Sequence, residues 1–342
     1  MKLSANRRGP GMTVRTIGLW VWALLLAGRL CAQDSPRPAH GEPAAPTEYP
    51  RAELLVETEQ LALWLGKDEK APTHPNLVLI DARTAEAFEL THLPFAQNVE
   101  SDPLQAPDSP PYFMPGPDAI AKLAEACGIQ ANSRIVVYDA EGGRQAARVW
   151  FTFWAYGHDQ VSILNGGYPK WRDEEGRVTR NAYKPAAGTW KPLDRPRGLL
   201  AREDLARYRP RQTAPGQPTL TTLLDARSYA EYMGQDARAK LGGHVPGAVN
   251  LPYDVLLNAV SPRQKDPNSK DEGYWVWKPP QEIHALFRAA CIQKSEPLGA
   301  YCQSGVRSAH LVFSLRLMGY EVSNYYGGWR EYGNRDDVTI EK

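Results

Sequence analysis

Cys302 and Arg307 bracket a short run, Cys302-Gln303-Ser304-Gly305-Val306-Arg307, with Ser308 next. A thiolate is a strong nucleophile, and an arginine close to it supplies a permanent positive charge. Leu298-Gly299-Ala300-Tyr301, just ahead, is short and apolar, as a buried strand would be. Ser308 to Met318 reads as a helix stopped by Gly319. A loop turning from strand to helix, with Gly305 to permit tight backbone geometry, aims several N–H groups inward. The helix N-terminus adds partial positive charge. Such a ring favours a thiolate over a thiol and equally stabilises a sulfur anion attached to it. Burial as a small core residue is the commoner fate of a cysteine. Its place between strand and helix, in a glycine-containing turn, makes Cys302 the candidate catalytic residue. Gln303, Ser304, Gly305, Val306, Arg307 and Ser308 are then the candidate substrate-binding loop.

The elements that must carry this loop occur twice. Leu79-Ile80-Asp81-Ala82-Arg83 recurs as Leu223-Leu224-Asp225-Ala226-Arg227, each followed by an acidic stretch with an aromatic residue. His92-Leu93-Pro94-Phe95-Ala96 recurs as His244-Val245-Pro246-Gly247-Ala248. Ala126-Cys127-Gly128-Ile129-Gln130 recurs as Ala290-Cys291-Ile292-Gln293, and Asn165-Gly166-Gly167-Tyr168 as Tyr326-Gly327-Gly328-Trp329. Landmarks repeating in one order mean two copies of one domain. The expected boundaries are 50–185 for the first copy, a proline-rich linker over 186–197, and 198–342 for the second. Asp139 then stands opposite Cys302, and a carboxylate does not replace a thiolate nucleophile, so the first copy is expected to be inactive. Asp139 also suits an acid capping the helix that begins at Arg144.

Within each copy strands alternate with helices. Leu77 to Ile80 and Arg134 to Tyr138 are apolar runs rich in β-branched residues, which suits buried strands. Ala119 to Cys127 has helical spacing, with Asp118 as its expected N-cap and Gly128 as its stop, and Arg144 to Tyr156 reads as a further helix. The expected class is α/β, each domain a mostly parallel sheet with helices on both faces. Ligands in such sheets sit beyond the carboxyl ends of the strands, which is where Tyr138-Asp139 and Tyr301-Cys302 fall.

The Asp-Ala-Arg turn, the His-Val-Pro-Gly-Ala segment, the Cys302 to Arg307 loop and the late Gly-Gly-Trp together resemble those of the two-domain rhodanese-type sulfurtransferases, the thiosulfate/3-mercaptopyruvate sulfurtransferase family. The resemblance implies double displacement: a donor anion gives its outer sulfur to Cys302, and a thiol or cyanide acceptor takes it from the resulting persulfide. It implies no metal and no organic cofactor, because the persulfide is the covalent carrier. Members that use thiosulfate tend to have two cations directly after the cysteine, and those that use mercaptopyruvate tend to have Gly-Ser-Gly-Val-Thr. Gln303 and Ser304 match neither, although Ser304-Gly305-Val306 leans to the second. Family enzymes for such anions often carry Arg four residues after the Asp-x-Arg arginine; here Glu231 follows Arg227 at that spacing. The expected donor is thiosulfate or a similar compound, with mercaptopyruvate or a thiol persulfide as alternatives. Cysteine phosphatases need one residue more between Cys and Arg to fit a tetrahedral oxyanion. A non-catalytic envelope binding module is the alternative of another class; intact Cys302 and Arg307 count against it. Asp225 and Arg227 are expected to support the turn by an ion pair. His244 is expected to be a structural histidine bonded to backbone rather than a proton donor. Trp275, Trp277 and Trp329 either line the cleft or pack in the core, and Ser261 to Glu272 reads as a solvated loop.

The chain has 342 residues, enough for two domains. Lys and Arg number 40 and Asp and Glu 39, a net +1, which argues against nucleic acid as a partner. Residues 1–32 have the layout of a secretory signal: Arg15, an apolar run from Ile17 to Ala27 too short to span a membrane, and small residues near Cys31-Ala32. Met12 offers an alternative start, and an uncleaved anchor is the alternative to cleavage. Residues 33–49 read as a disordered lead-in. A periplasmic or secreted protein, with no stable membrane insertion after cleavage, follows. The mature chain would keep Cys127, Cys291 and Cys302, and all three are expected to be free, because Cys127 and Cys291 occupy matching positions in separate domains.

Overall fold

A computed structural model describes residues 45–342 except 69, 102–103, 105–113, 209–221 and 264–272. The expected signal and most of the expected lead-in therefore lie outside the described residues, as does most of the expected loop from Ser261 to Glu272. Tyr49, the last residue of that lead-in, belongs to the packed structure: its hydroxyl donates to the Lys278 carbonyl at 2.6 Å.

The first copy is built on strands β1 (Leu55–Val56), β2 (Leu77–Asp81), β3 (Ala96–Asn98), β4 (Arg134–Tyr138) and β5 (Val161–Leu164). They form one parallel sheet in the order β1-β5-β4-β2-β3. The second copy has β6 (Thr222–Asp225), β7 (Val249–Asn250), β10 (Leu298–Tyr301) and β11 (Val322–Tyr325), again parallel, in the order β11-β10-β6-β7. An antiparallel hairpin, β8 (Leu257–Val260) with β9 (Tyr274–Trp277), is inserted between β7 and β10. Strands β4 and β10 are interior to their sheets, flanked on both sides, so their apolar side chains are covered on both faces.

The helix Arg144–Ala155 follows β4, and the helix Val306–Leu317 follows β10. Both are buried almost all round, because each lies between its own sheet and the other copy's helix. Trp150 and Phe313 meet edge to face at 5.0 Å, and both are fully buried. One continuous apolar cluster accordingly holds residues of both copies. Residues 186–197, the expected linker, lie along the first copy: Gly188 N–H donates to Glu125, Leu193 to Tyr156 and Arg197 to Ala155.

Three sequence expectations are corrected. The helix Pro117–Ala126 begins with proline in its first turn after Gly116, and Asp118 lies inside that turn instead of capping it. The helix after Cys302 starts at Val306, two residues before the expected Ser308. Cys291 is disulfide-bonded, while Cys127 and Cys302 are free. The pairing of Cys127 with Cys291 was one residue out of register. Ile129 N–H returns to Ala124 and Ile292 N–H to Phe287, so Cys291, with φ +57°, occupies the left-handed position that Gly128 holds at φ +72°. A residue past a helix end projects outward, which is why Cys291 is half-buried while Cys127 is core. Burial pushes the Cys127 thiol up to about 12.

Candidate active site

Cys302 leaves the carboxyl end of β10, where Tyr301 lies level with Asp225 on one side and Tyr325 on the other. It is 1% exposed. The chain turns through Gly305, whose φ of +85° is left-handed and whose added Cβ would stand 3.1 Å from Tyr326, so glycine is required there. Two backbone bonds tie the loop down from below: Trp329 N–H to Cys302 O at 2.7 Å and Arg330 N–H to Gln303 O at 3.0 Å. Gly328 permits that approach, since a Cβ on it would sit 2.5 Å from the Cys302 oxygen. Ser308, in the first helical turn, directs its hydroxyl at the Cys302 sulfur across 3.5 Å.

The first copy shows what such a loop binds. Asp139 occupies the place of Cys302, with Tyr168 N–H on its carbonyl at 2.8 Å and Gly143, φ +86°, at the helix start. Its carboxylate accepts N–H groups from Glu141 at 3.0 Å, Gly143 at 2.9 Å, Gln145 at 2.8 Å and Ala146 at 3.0 Å. The ring therefore converges on an anion, here the chain's own carboxylate, which also caps the helix. Gln145 and Ala146 correspond to Arg307 and Ser308, counting from the two left-handed glycines. A cavity of about 190 Å³ lined by Arg83, Glu100, Asp139, Glu141 and Gln145 remains in front of it.

Arg307 was expected to add a full positive charge beside the sulfur. The fold pairs it instead: its guanidinium donates through both Nη atoms to Glu231, at 2.5 and 2.8 Å. Glu231 is 1% exposed, and Ser228 and Arg238 also face it. Burial alone would raise the Glu231 pKa, but the Arg307 hydrogen bonds and charge prevail and hold it down at about 2. For Arg307 burial opposes the charge, and Glu231 together with the Cys302 sulfur outweighs it, so the pKa lies above the ordinary arginine value. Gln303 reaches sideways, its amide donating to the Arg238 carbonyl at 3.1 Å. Ser304 is half-buried, while Val306 and Ser308 are buried.

Asp225 and Arg227 do form an ion pair, with Arg227 also donating to the Gly243 carbonyl at 2.7 Å and lying under the Trp329 ring. The same contacts join Arg83 to Asp81, the Thr91 carbonyl and Tyr168. Arg227 is 1% exposed and is spent on holding the turn. The Nδ1 of His244 meets the Tyr232 carbonyl at 2.9 Å and its ring stacks on Tyr232, as His92 does on Phe88. Trp277 and Trp329 are core residues, whereas Trp275 is exposed.

Three residues to which the sequence reading gave no part in the site, Tyr326, Arg148 and His310, join the Cys302 side to the first copy. Tyr326 backs Gly305, and its hydroxyl accepts from Arg148 Nε at 2.9 Å. Arg148 belongs to the first copy and is 1% exposed, with one guanidinium nitrogen buried and unpartnered among the described residues. A charge inside the apolar helix Arg144–Ala155 was the available signal. His310, on the helix after Cys302, meets the Gly142 carbonyl at 3.1 Å, and burial lowers its pKa to about 3. The two loops are thereby keyed to each other.

Comparison with known proteins agrees with this geometry. The profile of the rhodanese-like domain matches residues 62–174 and 211–335. The human 3-mercaptopyruvate sulfurtransferase is 30% identical over 300 residues, 82% of this chain and 94% of its own. The thiosulfate sulfurtransferase of Gallus gallus is 30% identical over 260 residues, 75% of this chain and 82% of its own. Among solved structures, SseA of Escherichia coli, described as a 3-mercaptopyruvate sulfotransferase, shares the fold with a TM-score of 0.66 at 23% identity, over 81% of this chain and 98% of its own.

Proposed function

Since the chain belongs to the rhodanese family, we propose that it is a sulfurtransferase that moves a sulfane sulfur from thiosulfate or a similar donor to a thiol or cyanide, through a persulfide on Cys302. The observation that carries this reading is the matched turn of the two copies: Cys302 stands where Asp139 gathers four backbone N–H groups, and the Ser308 hydroxyl faces its sulfur. The Cys302 thiolate attacks the outer sulfur, the donor leaves with the electron pair of the broken bond, and the turn with the helix N-terminus behind it stabilises the new terminal sulfur anion. The acceptor then attacks that sulfur and restores the thiolate. The loop residues Gln303 to Ser308 form the wall against which donor and acceptor dock. The first copy, with Asp139 closing its own ring, contributes to the cleft and does no chemistry.

Cys302→Ser tests the assignment. Treatment of the wild type with donor should add one sulfur to the peptide containing Cys302, read by mass spectrometry. The variant should keep its circular dichroism and lose transfer to background; transfer that persists would overturn the mechanism.

We also infer an exported protein, from the charge-apolar-small layout of residues 1–32. Fractionation of cells should place the protein in the periplasm or the medium; recovery from the cytosol would overturn that inference.

A further inference from the structure

We propose that the Glu231–Arg307 ion pair makes this site select an organic persulfide, R–S–SH, over a free sulfur dianion. The proposal rests on the sulfurtransferase reading above and names its donor.

Glu231 engages both Nη atoms of Arg307, so the fork that would grip a dianion is already occupied. For thiosulfate to use that guanidinium, Arg307 would have to turn away. Glu231 would then remain in the wall as a carboxylate that is 1% exposed and has lost its main partner, a cost that offsets the new contact. Among the described residues, the neighbouring cations Arg238 and Arg144 are already paired. Arg238 shares Glu231 and holds Asp236 at 2.8 Å, and Arg144 is paired with Glu141. What the loop offers without rearrangement is the start of the helix Val306–Leu317 and the Ser308 hydroxyl, a site for one sulfur bearing at most one negative charge.

An organic persulfide fits that requirement. The Cys302 thiolate attacks its outer sulfur, and the bond between Cys302 Sγ and that sulfur forms as the donor's S–S bond breaks. R–S⁻ departs with the electron pair, and the proton stays on the transferred sulfur or passes to the thiolate that leaves. Charge and electrons balance without an oxidant.

The test is single-turnover loading of Cys302, followed by intact-protein mass, with glutathione persulfide and with thiosulfate at equal concentration. The wild type should load from the persulfide at least about 100-fold faster. Glu231→Gln, which releases the Arg307 fork, should raise the ratio of thiosulfate to persulfide rates at least about tenfold. Glu231→Gln with Arg307→Gln removes both charges together and should return that ratio to within about threefold of the wild type. Thiosulfate loading as fast as persulfide loading in the wild type would overturn the selectivity while leaving the sulfurtransferase reading intact, and this arm needs no variant to fold. An unchanged ratio in Glu231→Gln would overturn the role of the pair. Loading of Cys302 by neither donor would overturn both readings.

Discussion

At the scale of single residues, Glu231 does most to distinguish this site. Its folded pKa is near 2 against an ordinary value near 4.5, because Arg307 favours the ionised form. A depressed carboxylate stabilises the fold fully above the ordinary value, and that contribution is lost as the pH falls towards 2. A shift of this size corresponds to about 3 kcal/mol at neutral pH. Glu231→Gln should therefore be less stable than the wild type by roughly that amount at pH 7, and the difference should shrink between pH 4.5 and 2. Urea unfolding at a series of pH values checks this; a gap that stays constant across the window would show that the pair contributes nothing. Asp139 makes the complementary point. The equivalent turn holds a carboxylate in one copy and a thiol in the other, so one side chain separates a capped turn from a reactive one.

At the scale of elements, the turn from β10 into the helix Val306–Leu317 depends on a second turn beneath it. Tyr326-Gly327-Gly328-Trp329-Arg330 runs under the loop, Trp329 N–H donating to the Cys302 carbonyl and Arg330 N–H to that of Gln303. Gly328 has φ +60° and no room for a Cβ against the Cys302 oxygen. Gly328→Ala should cost on the order of 2–4 kcal/mol and lower sulfur transfer in the fraction that stays folded, because it lifts the catalytic carbonyl off its support. Thermal unfolding and turnover per folded molecule measure the two effects, and native stability with native turnover would refute the dependence. The hairpin of β8 and β9 plays the same part for the inactive loop: Trp277 covers Gly143, and Trp275 and Leu257 cover Gly142. Among the described residues the first copy has no such hairpin.

At the scale of the whole molecule, the two copies share one core. The helices Arg144–Ala155 and Val306–Leu317 pack on each other, Arg148 bonds Tyr326, and Arg51 N–H donates to the Leu317 carbonyl. A face buried that completely cannot be exposed without a large apolar penalty. The copies should therefore unfold in a single transition. Phe313→Ala removes the ring that touches both Trp150 and Trp277 and should cost about 3–5 kcal/mol, lowering the midpoint for both copies together. Tryptophan fluorescence and far-ultraviolet circular dichroism should report coincident curves; two separated transitions would show that the domains are stable independently.

The duplication, the alternation of strand and helix, and the place of Cys302 between β10 and a helix were legible in the chain itself. Each is written locally, in runs of apolar residues, in glycines where the backbone must turn left-handed, and in motifs that recur in order. Proximity across the fold is not written that way. Glu231 meets Arg307 across 76 positions and Arg148 meets Tyr326 across 178. Both contacts follow from how the sheets and the central helix pair stack, and sequence spacing carries no measure of that distance. The register of Cys291 was lost for a related reason: a cysteine beside an isoleucine looks alike on either side of a helix end, and only the return of the Ile292 N–H to Phe287 decides which side it occupies. The chain alone thus determined a nucleophile on a turn, while the charge that faces it was decided by tertiary packing, because an ion pair exists only where two side chains are brought within about 4 Å.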